Sequence, residues 1–355
     1  MDKKHVKVKY CLLGYGYASL IAYQKLLEKN DHSDILILRD EKADPIFTID
    51  HEGISFSPLP IFPVQESELY NSSLFYDAPK QKPISVSFSE LANFEHNPNE
   101  VKEGSLASFM IAKQGVDRNL CLGLKQWSRS MLSQPLSQVQ DKIRRHYISN
   151  NGNTRVGYVD GKSLFKYTID KLQPEILNFS KLQKIVVETK EIHTADHIIA
   201  YDHLVSTIPL HYLLQYCGLP QDHNTESASA YFKFFTYSKG FKENRIIYDC
   251  DLNSDILRLF SVSDTLIMAQ IRGDKHGKVS NKKVQDRIQN LIPEIEGLTF
   301  ARELFSPMGY PLELVTQPNS LKSMAILKEN GVIPFGRFGN WEYSDLHELD
   351  WSSVV

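Results

Sequence analysis

The sequence predicts an α/β protein: a Rossmann-like domain assembled from discontinuous segments, with an inserted α+β region. Three observations predict it. The strand-length run Val6–Leu13 leads into the turn Gly14-Tyr15-Gly16 and then into a helical pattern. A second apolar run, Ile35-Leu36-Ile37-Leu38, follows within the length of one β-α-β unit. Strand signals at His203–Thr207 and Val332–Phe335 bring the middle and the end of the chain back to the same domain. At 355 residues the chain exceeds one typical core, which points to two domains.

The elements follow in order. Val6–Leu13 becomes fully apolar towards its end, as a buried strand does, and contains Cys11 as a small core residue. Ala18–Leu27 has helical spacing, with Leu20, Ile21, Leu26 and Leu27 near one face. The turn-rich Asn30–Asp34 precedes Ile35–Leu38, whose unbroken apolar character fits a parallel strand covered on both faces. Pro45, Pro58, Pro60 and Pro63 then prevent long regular elements. Within an inserted region of about residues 65–150, Gly104–Lys113 and Leu120–Leu132 read as helical. Lys184–Val187, Glu191–Ile192 and His197–Ile199 read as successive strands of a small sheet. Further strands are expected at Tyr231–Tyr237, Arg245–Tyr248 and Thr265–Gln270. Val284–Ile292 reads as a helix ended by Pro293, and Leu321–Asn330 as a helix stopped by Gly331.

Composition narrows the function. With 42% hydrophobic and 23% charged residues the chain is an ordinary globular protein. A net charge of −3 argues against a nucleic-acid partner, and the basic stretch Lys142–His146 reads as a solvated face. No apolar run reaches the ~18–20 residues that span a bilayer, and the N-terminus lacks a signal-peptide pattern. A cytoplasmic location is therefore expected. Cys11, Cys121, Cys217 and Cys250 form no CxxC pair, and His193 and His197 sit in a strand-and-turn context, so no metal is expected. Neither a G-x-S-x-G elbow nor a P-loop is present.

The turn Gly14-Tyr15-Gly16 carries the chemistry. A dinucleotide pyrophosphate needs backbone N–H groups close by and a helix N-terminus aimed at it. Gly14 and Gly16 fill the first two positions of G-x-G-x-x-G, and the small Ser19 stands at the third. At the second strand end, Leu38-Arg39-Asp40-Glu41, Asp40 or Glu41 offers a carboxylate to ribose hydroxyls. Arg39 occupies the usual acidic position and can instead contact a phosphate.

The carboxyl end is more specific. Ile333-Pro334-Phe335-Gly336-Arg337-Phe338-Gly339-Asn340-Trp341-Glu342-Tyr343-Ser344-Asp345 resembles the terminal segment of the FAD-binding superfamily of UDP-galactopyranose mutases, protoporphyrinogen oxidases and flavin amine oxidases. Three further stretches agree in order. Phe47–Phe56 resembles the hairpin after the second strand, Tyr158–Lys162 the segment preceding a helix, and Tyr201–Leu210 the family's later strand and turn. The resemblance implies a Rossmann-like FAD-binding domain from residues 1–64, 151–215 and 325–355. A substrate domain would comprise 65–150 and 216–324. It further implies FAD held by Gly14, Gly16, Tyr17, Ser19, Arg39 and Asp40, with Leu182 in the strand near adenine. Gly336 and Arg337 would lie near the pyrophosphate or the isoalloxazine, and Asp345 would cap the last helix. Two departures stand out: Ala43-Asp44-Pro45 replaces a Gly-Gly pair, and Pro58-Leu59-Pro60 replaces a glycine-containing loop.

The resemblance leaves three activities open. In an FAD-dependent oxidoreductase of amine oxidase or protoporphyrinogen oxidase type, Tyr310, Trp341 and Tyr343 are candidates for an aromatic cage. In a nucleotide-sugar mutase, Arg258, Arg272, Tyr248 and Tyr310 are candidates for a diphosphate site. A degenerate flavoprotein that binds without turnover is the third, motivated by the two departures. The expected partner is a small-molecule substrate, with a homodimer left open.

Overall fold

The computed structural model describes residues 3–42, 49–51, 54–56, 82–83, 85–88, 157–158, 161–221, 226–241, 245–249, 251, 254–312, 321–342, 349 and 354. The chain opens with β1 (Lys4–Leu13), α1 (Tyr17–Leu27) and β2 (Ile35–Asp40). Strands β3 (Ile49–His51) and β4 (Ile54–Phe56) form the antiparallel hairpin anticipated over Phe47–Phe56. Short strands β5 (Lys82–Pro83), β6 (Ser85–Phe88) and β7 (Gly157–Tyr158) precede α2 (Gly161–Leu172). Next come β8 (Ile176–Phe179), β9 (Leu182–Val186), β10 (Glu191–Thr194), β11 (His197–Ser206) and α3 (Leu210–Tyr216). The second half holds β12 (Ser227–Thr236), β13 (Arg245–Tyr248), β14 (Ile256–Ser261), β15 (Leu266–Arg272), α4 (Asn281–Leu291) and β16 (Thr299–Pro311). Helix α5 (Leu321–Glu329) and β17 (Val332–Pro334) return the chain to the first sheet.

The first sheet has the order β8-β2-β1-β11-β10-β9, and β17 adds to β11. Strands β8, β2, β1, β11 and β17 are mutually parallel, while β9 and β10 form an antiparallel hairpin. Neighbouring residues of the central strands point to opposite faces, and both faces are dry. Leu12, Ile35 and Ile37 pack with Leu20, Ile21 and Tyr23 of α1 and Leu164 of α2. Cys11, Leu13, Leu36 and Leu38 pack on the other side with Leu204, Leu210 and Leu213. Burial on both faces is why these strands read as unbroken apolar runs. The expected α/β class with a Rossmann-like domain is the one observed.

Two details of the first sheet differ from expectation. The segments 184–199 form no separate small sheet, and His203–Thr207 is no separate return strand. His197–Ser206 is one ten-residue strand with β1 along one edge. Its other edge is divided: Ile198–Ala200 pair with β10, and Leu204–Ser206 pair with β17. Polar Asp202-His203 in mid-run split the sequence signal into two. His203 stacks on Tyr10 of β1 at 5.2 Å, which accommodates the polar pair within the strand.

The second sheet has the order β16-β12-β15-β14-β13-β6 and is antiparallel apart from β13 with β6. Helix α4 covers one face, setting Val284 and Ile288 among Tyr231, Phe235, Ile267, Ala269 and Ile271. Ser280 caps that helix by accepting from the Lys283 N–H at 3.2 Å. Strand β16 was not anticipated, because Pro307 and Gly309 break its pattern. It lies at the sheet edge, where a missing N–H disrupts no ladder. No described helix is long and apolar enough to cross a membrane.

Candidate nucleotide and substrate site

The carboxyl ends of four parallel strands are level. Leu13 is in register with Leu38 of β2 and with Ser206 of β11, and Ser206 with Pro334 of β17. Ligands of open α/β sheets bind beyond this edge. Gly14 sits there with φ +120° and donates its N–H to the Leu38 carbonyl at 3.1 Å. A Cβ on Gly14 would run into Thr207 Oγ1. Thr207 itself is tied down, its N–H donating to the Leu13 carbonyl at 2.9 Å.

Ser19 does more than stay small. Its Oγ lies 2.8 Å from Thr207 Oγ1, and the Thr207 hydroxyl donates to the Leu13 carbonyl at 3.3 Å. The Thr207 hydrogen is thereby engaged, so Ser19 is the donor of the pair. The serine is fully buried and locks the first turn of α1 to the end of β11. Gly16 stands at the N-cap of α1 in extended conformation, and no side chain caps the helix. An uncapped helix start is the arrangement in which backbone N–H groups receive a phosphate.

Beside the turn, Tyr15 and Tyr17 both meet the Phe165 ring edge-on, at 5.2 and 5.5 Å. The Arg39 guanidinium lies 4.9 Å over the Tyr15 ring. Burial pushes the Tyr15 hydroxyl pKa up, opposed by the Arg39 charge. Asp40 Oδ1 accepts from the Lys42 N–H at 2.9 Å, within its own turn. Two buried polar atoms at this edge lack a partner: Arg39 Nε and Ser206 Oγ. Each such group costs about 1–3 kcal/mol unless something satisfies it. The uncapped start of α1 and the glycine turn before it would offer a dinucleotide the backbone N–H groups it needs. The residues present therefore fit such a group.

The carboxyl-terminal loop closes on the same turn. Phe335 N–H donates to the Ser206 carbonyl at 2.8 Å, and Asn340 N–H to the Gly336 carbonyl at 2.9 Å. Gly336 has φ +84°, and a Cβ there would come within 2.7 Å of the Ala18 Cβ in α1. Thus the two ends of the chain touch at glycine and alanine, where only small residues fit.

From this loop a chain of side chains runs into the second sheet. The Arg337 guanidinium lies 5.8 Å over the Tyr310 ring of β16. The Tyr310 hydroxyl accepts from Gln270 Nε2 of β15 at 3.2 Å. Gln270 Oε1 accepts from Arg258 Nε of β14 at 2.7 Å. Gln270 and Tyr310 are both buried. Tyr248 of β13 stands opposite Arg258 in register.

The candidate residues thus fall into groups. Gly14, Gly16, Tyr17, Ser19 and Gly336 come together at the strand ends, with Arg39 and Asp40 alongside. Arg258, Tyr310 and Arg337 share one network. Arg272 is engaged by Asp274, with contacts of 3.1 and 3.0 Å. Trp341 is buried at φ +51°, donates its indole N–H to the Glu226 carbonyl at 3.0 Å, and packs on His211 and Phe338. Leu182 opens β9 with its side chain in the core. Asp345, Tyr343, Ala43–Pro45, Pro58–Pro60, the helical readings at Gly104–Lys113 and Leu120–Leu132, Lys142–His146, Cys121 and Cys250 lie outside the described residues. Sequence reasoning missed Thr207, Tyr15 and Gln270. Thr207 and Ser19 are 188 positions apart, so nothing local marks the pair.

No family model matches the sequence, and no curated protein matches it. Solved structures do match its fold. A reduced UDP-galactopyranose mutase superposes with a TM-score of 0.63 at 13% identity, covering 100% of this chain and 92% of the mutase. Cyclohexylamine oxidase from Brevibacterium oxydans IH-35A gives 0.62 at 12% identity, covering 98% and 96%. Putrescine oxidase bound to putrescine gives 0.60 at 10% identity, covering 87% and 88%. The chain shares its fold with these three structures.

Proposed function

We propose that this chain is an FAD-dependent oxidoreductase that takes a hydride from a small-molecule substrate. One observation carries the reading: Gly336 packs against Ala18 beside the Gly14 turn, and Arg337 of the same loop reaches Tyr310 of the second sheet. A nucleotide seat and a polar, buried sheet face thereby border one loop. Gly14, Gly16, Tyr17, Ser19, Gly336 and Arg337 would hold the cofactor, and residues 1–64, 151–215 and 325–355 would supply its domain. When bound, FAD supplies a hydride acceptor, which a side chain does not offer. The protein's part is to bind, orient and exclude water. Gln270 and Tyr310 would brace that face, hydrogen-bonded to each other and both buried.

A mutase reading has its own support. Arg258 and Tyr310 belong to one hydrogen-bonded network, and a guanidinium beside phenols suits a diphosphate-bearing sugar. The visible spectrum of the purified chain tests the shared premise. Flavin bands at about one flavin per chain are expected. A colourless protein that takes up no added FAD would overturn both readings. Flavin bleaching by an amine under anaerobic conditions then supports the oxidase. Turnover of a nucleotide sugar only after dithionite reduction supports the mutase and sinks the oxidase.

A further inference from the structure

Lys233 is the least expected residue of the second sheet. It stands in the middle of β12, between Tyr231 and Phe235 on the face that α4 covers, and is only 3% exposed. A buried amine has to be answered by fixed groups. Its Nζ donates to the Val279 carbonyl at 2.8 Å and to Asn281 Oδ1 at 2.5 Å, where α4 begins. Glu303, the cross-strand neighbour of Lys233 in β16, brings its Oε2 to 3.5 Å from the same nitrogen. The Tyr231 and Phe300 rings flank it at 5.7 and 5.6 Å. An amine, a carboxamide and a carboxylate are thus gathered round one buried atom. Amide exchange needs this set: a nucleophile held against a carbonyl, a proton carrier beside it, and little water. Two features favour the exchange. The hydrogen bond from the Tyr231 hydroxyl at 2.7 Å, together with the Lys233 charge, holds the Glu303 carboxyl below the usual carboxylate range, so it stands there as an anion. The lysine cation is opposed both by burial and by the positive N-terminal end of α4, and amide formation removes it.

The geometry points to a covalent amide link between Lys233 and Asn281, formed by the chain itself, with Glu303 carrying the protons. Glu303 takes one proton from the Lys233 ammonium. The free Nζ attacks Asn281 Cγ, and a new C–N bond forms as the carbonyl electrons move to Oδ1. Glu303 then hands its proton to Nδ2 and takes another from Nζ. The Oδ1 electron pair re-forms the carbonyl, the Cγ–Nδ2 bond breaks, and ammonia leaves, taking the last proton from Glu303 as ammonium. Nothing is oxidised or reduced, and no further reactant is needed. The link joins residues 48 positions apart and ties the start of α4 to the centre of the second sheet. It uses none of the residues assigned to the cofactor, so it stands or falls apart from that reading.

Mass spectrometry of the denatured full chain tests the link. The unaltered protein is expected to weigh one ammonia less than its sequence. A tryptic digest is expected to contain a branched peptide in which the segment bearing Lys233 is joined to the segment bearing Asn281, with no cleavage after Lys233. The full sequence mass in the unaltered chain would overturn the proposal, whether or not any variant folds. So would the loss of one ammonia without the branched peptide, which is the mark of ring closure at Asn281 alone. Lys233→Arg and Asn281→Ala should each restore the sequence mass expected for the variant. Glu303→Gln, folded by circular dichroism, should stay unlinked. A Glu303→Gln chain that carries the branch in full would overturn the role given to Glu303.

Discussion

At Gly14 a side chain meets two obstacles at once. The backbone has φ +120°, a region that favours glycine, and the space above Cα belongs to Thr207 Oγ1. Gly14→Val therefore has to unseat Thr207, whose hydroxyl also receives Ser19. The expected result is loss of nucleotide retention together with about 2–4 kcal/mol of stability, the range of strain plus a broken buried contact. Absorbance and urea unfolding of the variant check it, and a variant with unchanged flavin content would disprove the placement of the seat. Ser19→Ala is the milder probe, removing one hydrogen bond worth about 0.5–1.5 kcal/mol without adding bulk. At this scale the sequence was half legible. Two glycines and a small residue at fixed offsets announced a tight turn, since only backbone geometry demands them. The hydroxyl pair beneath the turn was invisible, because its two members meet only through the sheet.

Elements dock here by charge as well as by apolar faces. Helix α4 seats Val284 and Ile288 on the second sheet, and its Arg287 grips Asp249 just beyond β13 with both carboxylate oxygens, at 2.7 and 2.5 Å. Asp249 is fully buried and also receives the Asp251 N–H. Replacing Arg287 by Met keeps the stem but leaves a buried carboxylate without its cation. Breaking such a pair from one side costs about 3–5 kcal/mol, far more than an exposed ion pair returns. Urea unfolding is expected to show that loss, and a change below about 1 kcal/mol would mean the pair is effectively solvated. The helix itself was readable from the spacing of Val284 and Ile288, and Gly331 marked the end of α5. Strand β16 was not readable, because Pro307 is tolerated only by virtue of an edge position that local sequence does not encode. For the same reason β11 read as two strands: which neighbour pairs with which half is a property of the assembled sheet.

Over the whole molecule, the first sheet collects the beginning, middle and end of the chain, and the second sheet is strung between those returns. That order was legible, since unbroken apolar strands are dictated by burial on both faces and the terminal glycine-rich segment resembled a known one. The row of side chains behind Tyr310 was not legible, because within the second sheet it passes through Gln270, a residue with no motif around it. Gln270 stands between Arg258 and Tyr310, and Tyr310 in turn carries the Arg337 guanidinium of the loop that abuts α1. Gln270→Met fills the volume but strips both neighbours of a hydrogen bond in a buried setting, an expected loss of about 1–3 kcal/mol. Tyr310→Phe removes one of the same bonds. If the four side chains act as one network, the double variant should cost less than the two single losses added, by at least about 0.5 kcal/mol. Simple additivity in urea unfolding would mean that these bonds act independently of one another. The same variants separate support from chemistry. A connection that only braces the loop lowers stability and flavin retention together, whereas a face that meets substrate raises KM in variants that still carry full flavin.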